Sequence, residues 1–311
     1  MIDVAVIILT CNQKQVTLRF LESFENVDQD RVGILVWDNG SSDGTMAAIE
    51  SQFPDVKVRR SDENLGAAGG RNAGAQAAME LWEPEYFLFL DNDTVVTSGF
   101  IQSLRGPLEK CSAIGMTTPK IRQLDNPEMI DAAGGCHVQF YRGQTPAVGH
   151  GELDRGQYDT SRDCVAGAGG FTLVRTDVFE EVEGFDEGFD PYGAEDIDFS
   201  LSVKKAGYRC VYVPEALVYH KGTQTFESGQ YSAEYARKKA ENWYRLVQKH
   251  ANPLEKAAFW LVGVPVRLLG AFLREVRRGN IGAVTGLISG GLSAIFRTSD
   301  EKEDSSKPEC S

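Results

Sequence analysis

Two acidic residues one position apart, Asp91 and Asp93, follow directly on the apolar run Tyr86-Phe87-Leu88-Phe89-Leu90. An aromatic-rich run of this length suits a buried strand, and in open α/β sheets ligands bind at the carboxyl ends of the strands. Carboxylates at such an edge must be solvated, paired or holding a cation, because burying them bare is expensive. Oxygen ligands of this kind suit a hard divalent ion, Mg2+ or Mn2+, whose shell substrate phosphates usually complete. A solvated turn fits the same residues, so the pair signals chemistry only if other segments supply partners. One such segment is Glu195-Asp196-Ile197-Asp198, at the head of a helical pattern with Phe199 and Val203 on one face. The helix dipole favours carboxylates there, which is a structural reason for them. A carboxylate on the acceptor side can also take the proton of an attacking hydroxyl. Asp38, inside Asp38-Asn39-Gly40-Ser41-Ser42-Asp43-Gly44, can accept from a base N–H or a ribose hydroxyl, or, like Asp43, close an Asx turn or helix cap. Arg71 lies among Gly66, Gly69, Gly70 and Gly74. It is a phosphate partner if those glycines admit a ligand, and a solvated side chain if they only allow close helix–sheet packing.

The elements that must position these residues alternate. Val4–Leu9, Val32–Trp37, Val56–Arg60 and Tyr86–Leu90 read as strands. Helical spacing follows the first three, over 14–26, through Met46, Ile49 and Phe53, and from the Asn64-Leu65-Gly66 turn to Met79. Such alternation predicts an α/β fold with a mostly parallel central sheet covered on both faces. Further strands are expected at Ile114–Met116, Phe171–Val174 and Cys210–Tyr219, with Cys164–Gly170 crossing the site as a loop and a helix over 195–206. His137 and His150 have no evident partner and read as surface or structural. Thr10-Cys11-Asn12-Gln13 lacks the G-x-G-x-x-G of a dinucleotide fold, and no G-x-x-x-x-G-K-[ST] occurs.

The chain has 311 residues, 42% hydrophobic and 25% charged, as in a soluble globular protein of one large or two small domains. Its net charge of −13 argues against a nucleic-acid partner, since phosphate contacts need a basic face. Six cysteines without a C-x-x-C pair suggest reduced thiols in a cytosol. No basic segment followed by a cleavable apolar stretch precedes Val4, so no secretion signal is expected.

Four segments, VAVIILTCN (4–12), VWDNGSSDGT (36–45), NLGAAGGRNAG (64–74) and FLDND (89–93), resemble family 2 glycosyltransferases in order and spacing. The stretch from Gly167-Ala168-Gly169-Gly170 through GFDEGFDPYGAEDIDF to VPEALVYHKG (213–222) is similar to their rhamnosyltransferase-like branch. The resemblance implies a GT-A nucleotide-binding fold over 1–225, with a donor half (1–110) and an acceptor half (111–225). It implies an inverting, metal-dependent transfer of a sugar from a nucleotide diphosphate-sugar, UDP or dTDP favoured, to a glycan or lipid-linked acceptor of cell-envelope synthesis. By the same resemblance Thr10, Asn12, Asp38, Gly66, Arg71, Asn72 and Asp91 would serve the donor. Asp93 would be the main ligand of Mg2+ or Mn2+, with Asp91 and His220 as further contacts. Asp196 would be the base, and Glu195 would orient the acceptor. The branch commonly carries an Arg a few residues after the acidic pair, where this chain has Leu201, Ser202 and Val203. Two other readings are a sugar-nucleotide pyrophosphorylase, which needs a glycine-rich basic loop after the first strand, and a non-catalytic nucleotide- or glycan-binding module, which would have lost its base or metal ligand.

The last third differs in composition. Over 232–250, Ala236, Ala240, Trp243, Tyr244 and Val247 share a stripe bordered by basic residues, and Asn252-Pro253 ends the helix. Two charge-free runs, Ala257–Val266 and Ile281–Phe296, flank Arg267, Arg274, Arg277 and Arg278. Neither reaches the ~20 apolar residues of a spanning helix. Residues 226–296 are therefore expected to be amphipathic helices lying on an anionic membrane surface, peripheral on the cytoplasmic face. Helices packed on the enzyme's own domain are the alternative. Residues 297–311 are expected to be a disordered acidic tail.

Overall fold

The computed structural model describes residues 2–25, 27, 30–165, 170–191, 193–221, 233–277, 285, 286, 288 and 289. The chain begins with three strand–helix steps and a fourth strand: β1 (Val4–Thr10), α1 (Lys14–Phe24), β2 (Val32–Asn39), α2 (Thr45–Gln52), β3 (Lys57–Ser61), α3 (Gly66–Trp82) and β4 (Tyr86–Asp91). It continues through β5 (Thr94–Val96), α4 (Phe100–Lys110), β6 (Ile114–Gln123), β7 (Ile130–Ala133), β8 (Arg162–Asp163), β9 (Thr172–Arg175), α5 (Thr176–Glu181), α6 (Glu195–Lys205) and β10 (Arg209–His220). The strands order as β3-β2-β1-β4-β9-β6-β10-β5, with β7 beside β6 and β8 beside β10.

β1 to β4 are parallel neighbours, as the alternation predicts. β9 breaks the pattern, running antiparallel to both β4 and β6, and β10 is parallel to β6. Two reversals restore the direction, so β6 and β10 point the same way as β4. The carboxyl ends of β1, β2, β4 and β10 consequently meet on one edge. β5 pairs antiparallel with β10, placing Thr94 opposite His220, and the Lys221 N–H donates to the Asp93 carbonyl at 3.1 Å. A strand turn in sequence thus becomes a fixed neighbour of a residue more than a hundred positions later.

Strand residues alternate between two cores, as period-two geometry requires. Val4, Val6 and Ile8 pack with α1, α2 and α4, through residues such as Phe20, Ile49 and Leu104. Ala5, Ile7, Phe87 and Phe89 pack with α3, α5 and α6. On that second face the small residues of α3 let the helix lie close to β1: a Cβ on Gly74 would sit 2.6 Å from Ile7 Cγ2. An aromatic group fixes the acceptor-side elements there. Phe185 stacks on Phe199 at 4.5 Å between centroids and meets Phe89 edge-on at 5.0 Å. Each such burial contributes about 1.5–3 kcal/mol, more than a typical hydrogen bond at about 1 kcal/mol, so this packing is what seats α6 against the sheet.

The chain divides into two units, 1–137 with 145–191 and 195–224, and 138–144 with 192–194 and 225–311. In the second, α7 (Ala233–His250) is followed by α8 (Pro253–Ala258), a π-helical stretch Phe259–Gly263, and α9 (Val264–Arg277). Asn252 and Glu255 form a reciprocal capping box at the head of α8, with Pro253 in the first turn. Trp260 meets Tyr244 edge-on at 5.5 Å. Leu261, Val266, Leu269 and Phe272 are 78%, 64%, 60% and 50% exposed. Among the described residues, no helix is long and apolar enough to cross a membrane. Most of the second apolar run, residues 167–169 and the acidic tail lie outside the described residues.

Candidate active site

Asp91 ends β4 and Asp93 lies two residues on, so both carboxylates leave the sheet at its carboxyl edge. Asn92, between them, turns inward instead. It is buried, and its amide donates to Gln13 Oε1 at 2.8 Å and Thr17 Oγ1 at 2.9 Å. Thr10, also buried, shares a 2.8 Å hydrogen bond with Thr17. The turn is thereby tied to the loop after β1, which holds the flanking carboxylates on the opposite side.

His220 closes the group. Its Nε2 is 3.4 Å from Asp93 Oδ1, and its Nδ1 is 2.8 Å from Asp131 Oδ2 on β7. Burial pulls the His220 pKa down, but the hydrogen bonds to Asp131 and Asp93 outweigh it and raise it to about 10. Burial likewise pushes Asp131 up, and the His220 hydrogen bond outweighs it, holding Asp131 below the usual carboxylate range. Asp91, Asp93 and His220 each offer one ligand atom, and these atoms lie within 4.8 Å of one another. Two carboxylate oxygens and an imidazole nitrogen are a donor set that could hold a divalent ion.

Arg71, on α3, is the link to the second acidic cluster. It is not on a solvated face: it is 6% exposed, donating from Nη1 to Glu195 Oε1 at 2.7 Å and from Nη2 to Asp91 Oδ1 at 3.3 Å. Its guanidinium carbon also lies 5.5 Å from the centroid of the Phe185 ring. Burial disfavours its charge, yet Glu195, Asp91 and Asp196 outweigh that and raise its pKa above the ordinary value. Glu195 and Asp196 open α6. Burial first, then repulsion from Glu195, raise the Asp196 carboxyl to about 7. Burial also raises Asp91. The structure therefore brings Asp91, Asp93, His220, Arg71, Glu195 and Asp196 together.

The remaining donor-side candidates sit on the adjoining strand ends. Asp38 is buried, and its Oδ1 accepts the Ser41 N–H at 2.8 Å, closing the Asx turn. Its Oδ2 has no hydrogen-bond partner among the described residues. Asn12, with φ at 52°, accepts the Ser42 N–H at 2.8 Å and binds the two loops together. Asp43 accepts the Lys14 and Thr45 N–H groups at 3.0 Å and is structural. Gly66 has φ at 82°, and a Cβ there would collide with the Asp190 carboxylate. That carboxylate accepts the N–H groups of Ala67, Ala68 and Gly69 at 2.7, 3.0 and 3.0 Å. The head of α3, where the glycines could have admitted a ligand, is thus capped by the protein's own Asp190. Asn72 is engaged too: its amide pairs with both the N–H and the carbonyl of Phe185, at 2.9 and 2.8 Å.

Sequence reasoning missed Asn92, Asp131 and Asp190. His150, read as lacking a partner, lies with Nδ1 3.0 Å from the Asp131 carbonyl and 3.2 Å from its Oδ1. His137 is exposed.

Residues 5–182 match the family described as glycosyl transferase family 2, and residues 155–225 match the N-terminal domain of galactosyltransferase. The N-acetylglucosaminyl-diphospho-decaprenol L-rhamnosyltransferase of Mycobacterium tuberculosis is 30% identical over 222 residues, covering 65% of this chain and 70% of that protein. The pre-mycofactocin glycosyltransferase of the same organism is 27% identical over 187 residues, 57% of this chain and 36% of that one. The fold is shared with GalNAc-T7, crystallised with UDP, GalNAc and Mn2+ (TM-score 0.64, 20% identity, 80% of this chain and 48% of that longer one). It is shared also with a mannosyltransferase from Pyrobaculum calidifontis in complex with GDP-Man and Mn2+ (TM-score 0.55, 16% identity, 94% and 87% of the two chains).

Proposed function

This chain belongs to glycosyltransferase family 2, and we propose that it moves a sugar from a nucleotide diphosphate donor to a hydroxyl of a lipid-linked acceptor, with inversion in a single step. What carries the reading is the meeting of two acidic groups across Arg71: Asp91 and Asp93 beside His220, and Glu195 and Asp196 at the head of α6.

In this mechanism Asp38 and the loop at Asn12 receive the nucleoside, the unpartnered Asp38 oxygen accepting from a base N–H or ribose hydroxyl. Asp91, Asp93 and His220 would hold a divalent ion, which offsets charge developing on the departing nucleotide diphosphate. Asp196 takes the proton of the acceptor hydroxyl as that oxygen attacks the anomeric carbon. A carboxyl raised to about 7 suits that task, because a base works best with its pKa near the working pH. Glu195, whose Oε1 is held by Arg71, orients the acceptor in this reading.

The acceptor class rests on the mycobacterial relative, whose name states a polyprenyl-diphosphate-linked sugar acceptor and an L-rhamnosyl donor group. The apolar, arginine-flanked stretch around Leu261, Val266, Leu269 and Phe272 would bring the chain to the cytoplasmic face of the membrane where such an acceptor lies. A pyrophosphorylase or a mere binding module is not favoured: the first lacks its loop, and the second should have lost Asp93 or Asp196.

A thermal-shift panel of UDP, dTDP and GDP with Mn2+, followed by transfer assays with the stabilising nucleotide's sugars, tests the donor. Asp196→Asn should retain nucleotide binding and lose transfer by about 10²–10⁴-fold; full activity would sink the base assignment. Liposome flotation of the full chain beside one ending at Asn252 tests the surface, and equal failure to float would remove it.

A further inference from the structure

An imidazole serves an ion only when the correct nitrogen faces it with a free lone pair, and an unrestrained ring has two tautomers and can flip. At His220 three contacts remove that freedom. Phe171 lies edge-on at 5.2 Å between ring centroids, with 70° between the planes, and limits rotation. The pairing of β10 with β5 brings the ring beside Asp93. The third contact is Asp131, whose Oδ2 accepts the Nδ1 proton at 2.8 Å and leaves Nε2 facing Asp93.

Asp131 is itself placed rather than floating. It lies on the short strand β7, which pairs with β6, and its side chain is 20% exposed. Its second oxygen, Oδ1, is 3.2 Å from His150 Nδ1, and the same nitrogen lies 3.0 Å from the Asp131 carbonyl. Each carboxylate oxygen thus has its own imidazole, and the oxygen toward His220 is the more buried arrangement, His220 being 11% exposed and His150 61%.

We propose that Asp131 is a positioning residue of the ion site, acting through His220: it fixes the Nδ1–H tautomer and aims Nε2 at the ion held by Asp91 and Asp93. This rests on the reading of those three residues as ion ligands. Histidine ligands commonly donate their second N–H to a carboxylate in this way, and loss of that partner weakens metal binding by about 10–100-fold.

The test is Mn2+ titration of the full chain without nucleotide, counting free Mn2+ by electron paramagnetic resonance. Asp131→Ala should weaken Mn2+ binding by about 10–100-fold. In a His220→Ala background the same substitution should change affinity by no more than about twofold, because its effect passes through His220. A residue that merely stabilises β7 would lower the melting temperature and leave the Mn2+ affinity alone. Wild-type affinity in Asp131→Ala, or an equal loss with and without His220, overturns the proposal. Where Asp131→Ala does not fold, Asp131→Asn carries the same test, with about a tenfold loss expected and wild-type affinity overturning it. If His220→Ala itself binds Mn2+ as the wild type does, the ion-site reading falls and this inference with it. If His220→Ala weakens binding and the Asp131 variants do not, only the role of Asp131 falls.

Discussion

Arg71 distinguishes two roles that one substitution can separate. As a donor-phosphate ligand it would be dispensable to the donor-free protein. In the structure it is an internal cation, 8% exposed in its side chain, paired with Glu195 at 9% and Asp91 at 28%. Arg71→Ala leaves the Glu195 carboxylate buried without its partner, and removing one member of a buried pair costs about 3–5 kcal/mol. At about 2–4 °C per kcal/mol for a domain of 150–250 residues, the melting temperature of the donor-free protein should fall by roughly 6–20 °C. The loss should also depend on pH in a definite sense. Burial already raises the pKa values of Asp91 and Asp196 and Arg71 opposes that rise, so without the guanidinium both climb further above their unfolded values. Their stability contribution is then fully present below the unfolded pKa and lost as pH rises through the folded one. The gap between variant and wild type should therefore narrow from about pH 8 to about pH 5. Adding Glu195→Gln to an Arg71→Met variant should recover about 1 kcal/mol or more, since a neutral amide is cheaper to bury than an unpaired charge. Calorimetry of the donor-free proteins decides the matter. A melting temperature within about 2 °C of wild type, with lost nucleotide affinity, would refute the internal-clamp reading and return Arg71 to the donor.

The pH dependence of transfer should show an acid limb: with Asp196 raised to about 7, kcat/KM falls toward tenfold per pH unit as pH drops below that value. Steady-state rates across that range check it, and a flat profile would oppose Asp196 as the base. Removing divalent ions with a chelator should abolish transfer and Mn2+ should restore it, whereas Asp93→Ala should respond to neither treatment. Asn72→Ala breaks both hydrogen bonds to the Phe185 backbone and should cost about 1–3 kcal/mol, read as a lower urea midpoint at unchanged slope.

Much of this site was legible because its residues end strands. The run Tyr86–Leu90 announces a buried strand, so Asp91 and Asp93 had to emerge at its carboxyl end, and the same logic placed Asp38, while His220 entered through the family resemblance. Residues whose roles depend on partners far along the chain gave no such signal. Asp131 meets His220 across 89 residues, and Asp190 caps α3 across 123. Neither contact has a local pattern, because each joins segments far apart in the chain, in a sheet where β9 lies antiparallel between β4 and β6. Asn92 was hidden for another reason: between two carboxylates it reads as a spacer, and only the burial of its amide against Thr17 shows that it holds the turn.

The glycine-rich segment shows how a correct residue type can serve a different partner. Glycines permit close backbone approach, and the sequence between Gly66 and Gly74 left open a ligand there with Arg71 on its phosphate. The anion that arrives is the carboxylate of Asp190, bound by three successive N–H groups. A few residues along, Asn72 grips the backbone of Phe185 and Arg71 reaches Glu195. One face of α3 therefore binds the segment carrying the proposed base at three points, while Arg71 also touches Asp91 of the proposed ion site. The placement of Glu195 relative to Asp91 is thus set through Arg71 of a single helix rather than by the loops alone. This is why stability and catalysis should fail together when Arg71 is removed, and why replacing Asp93 should spare the fold while ending transfer.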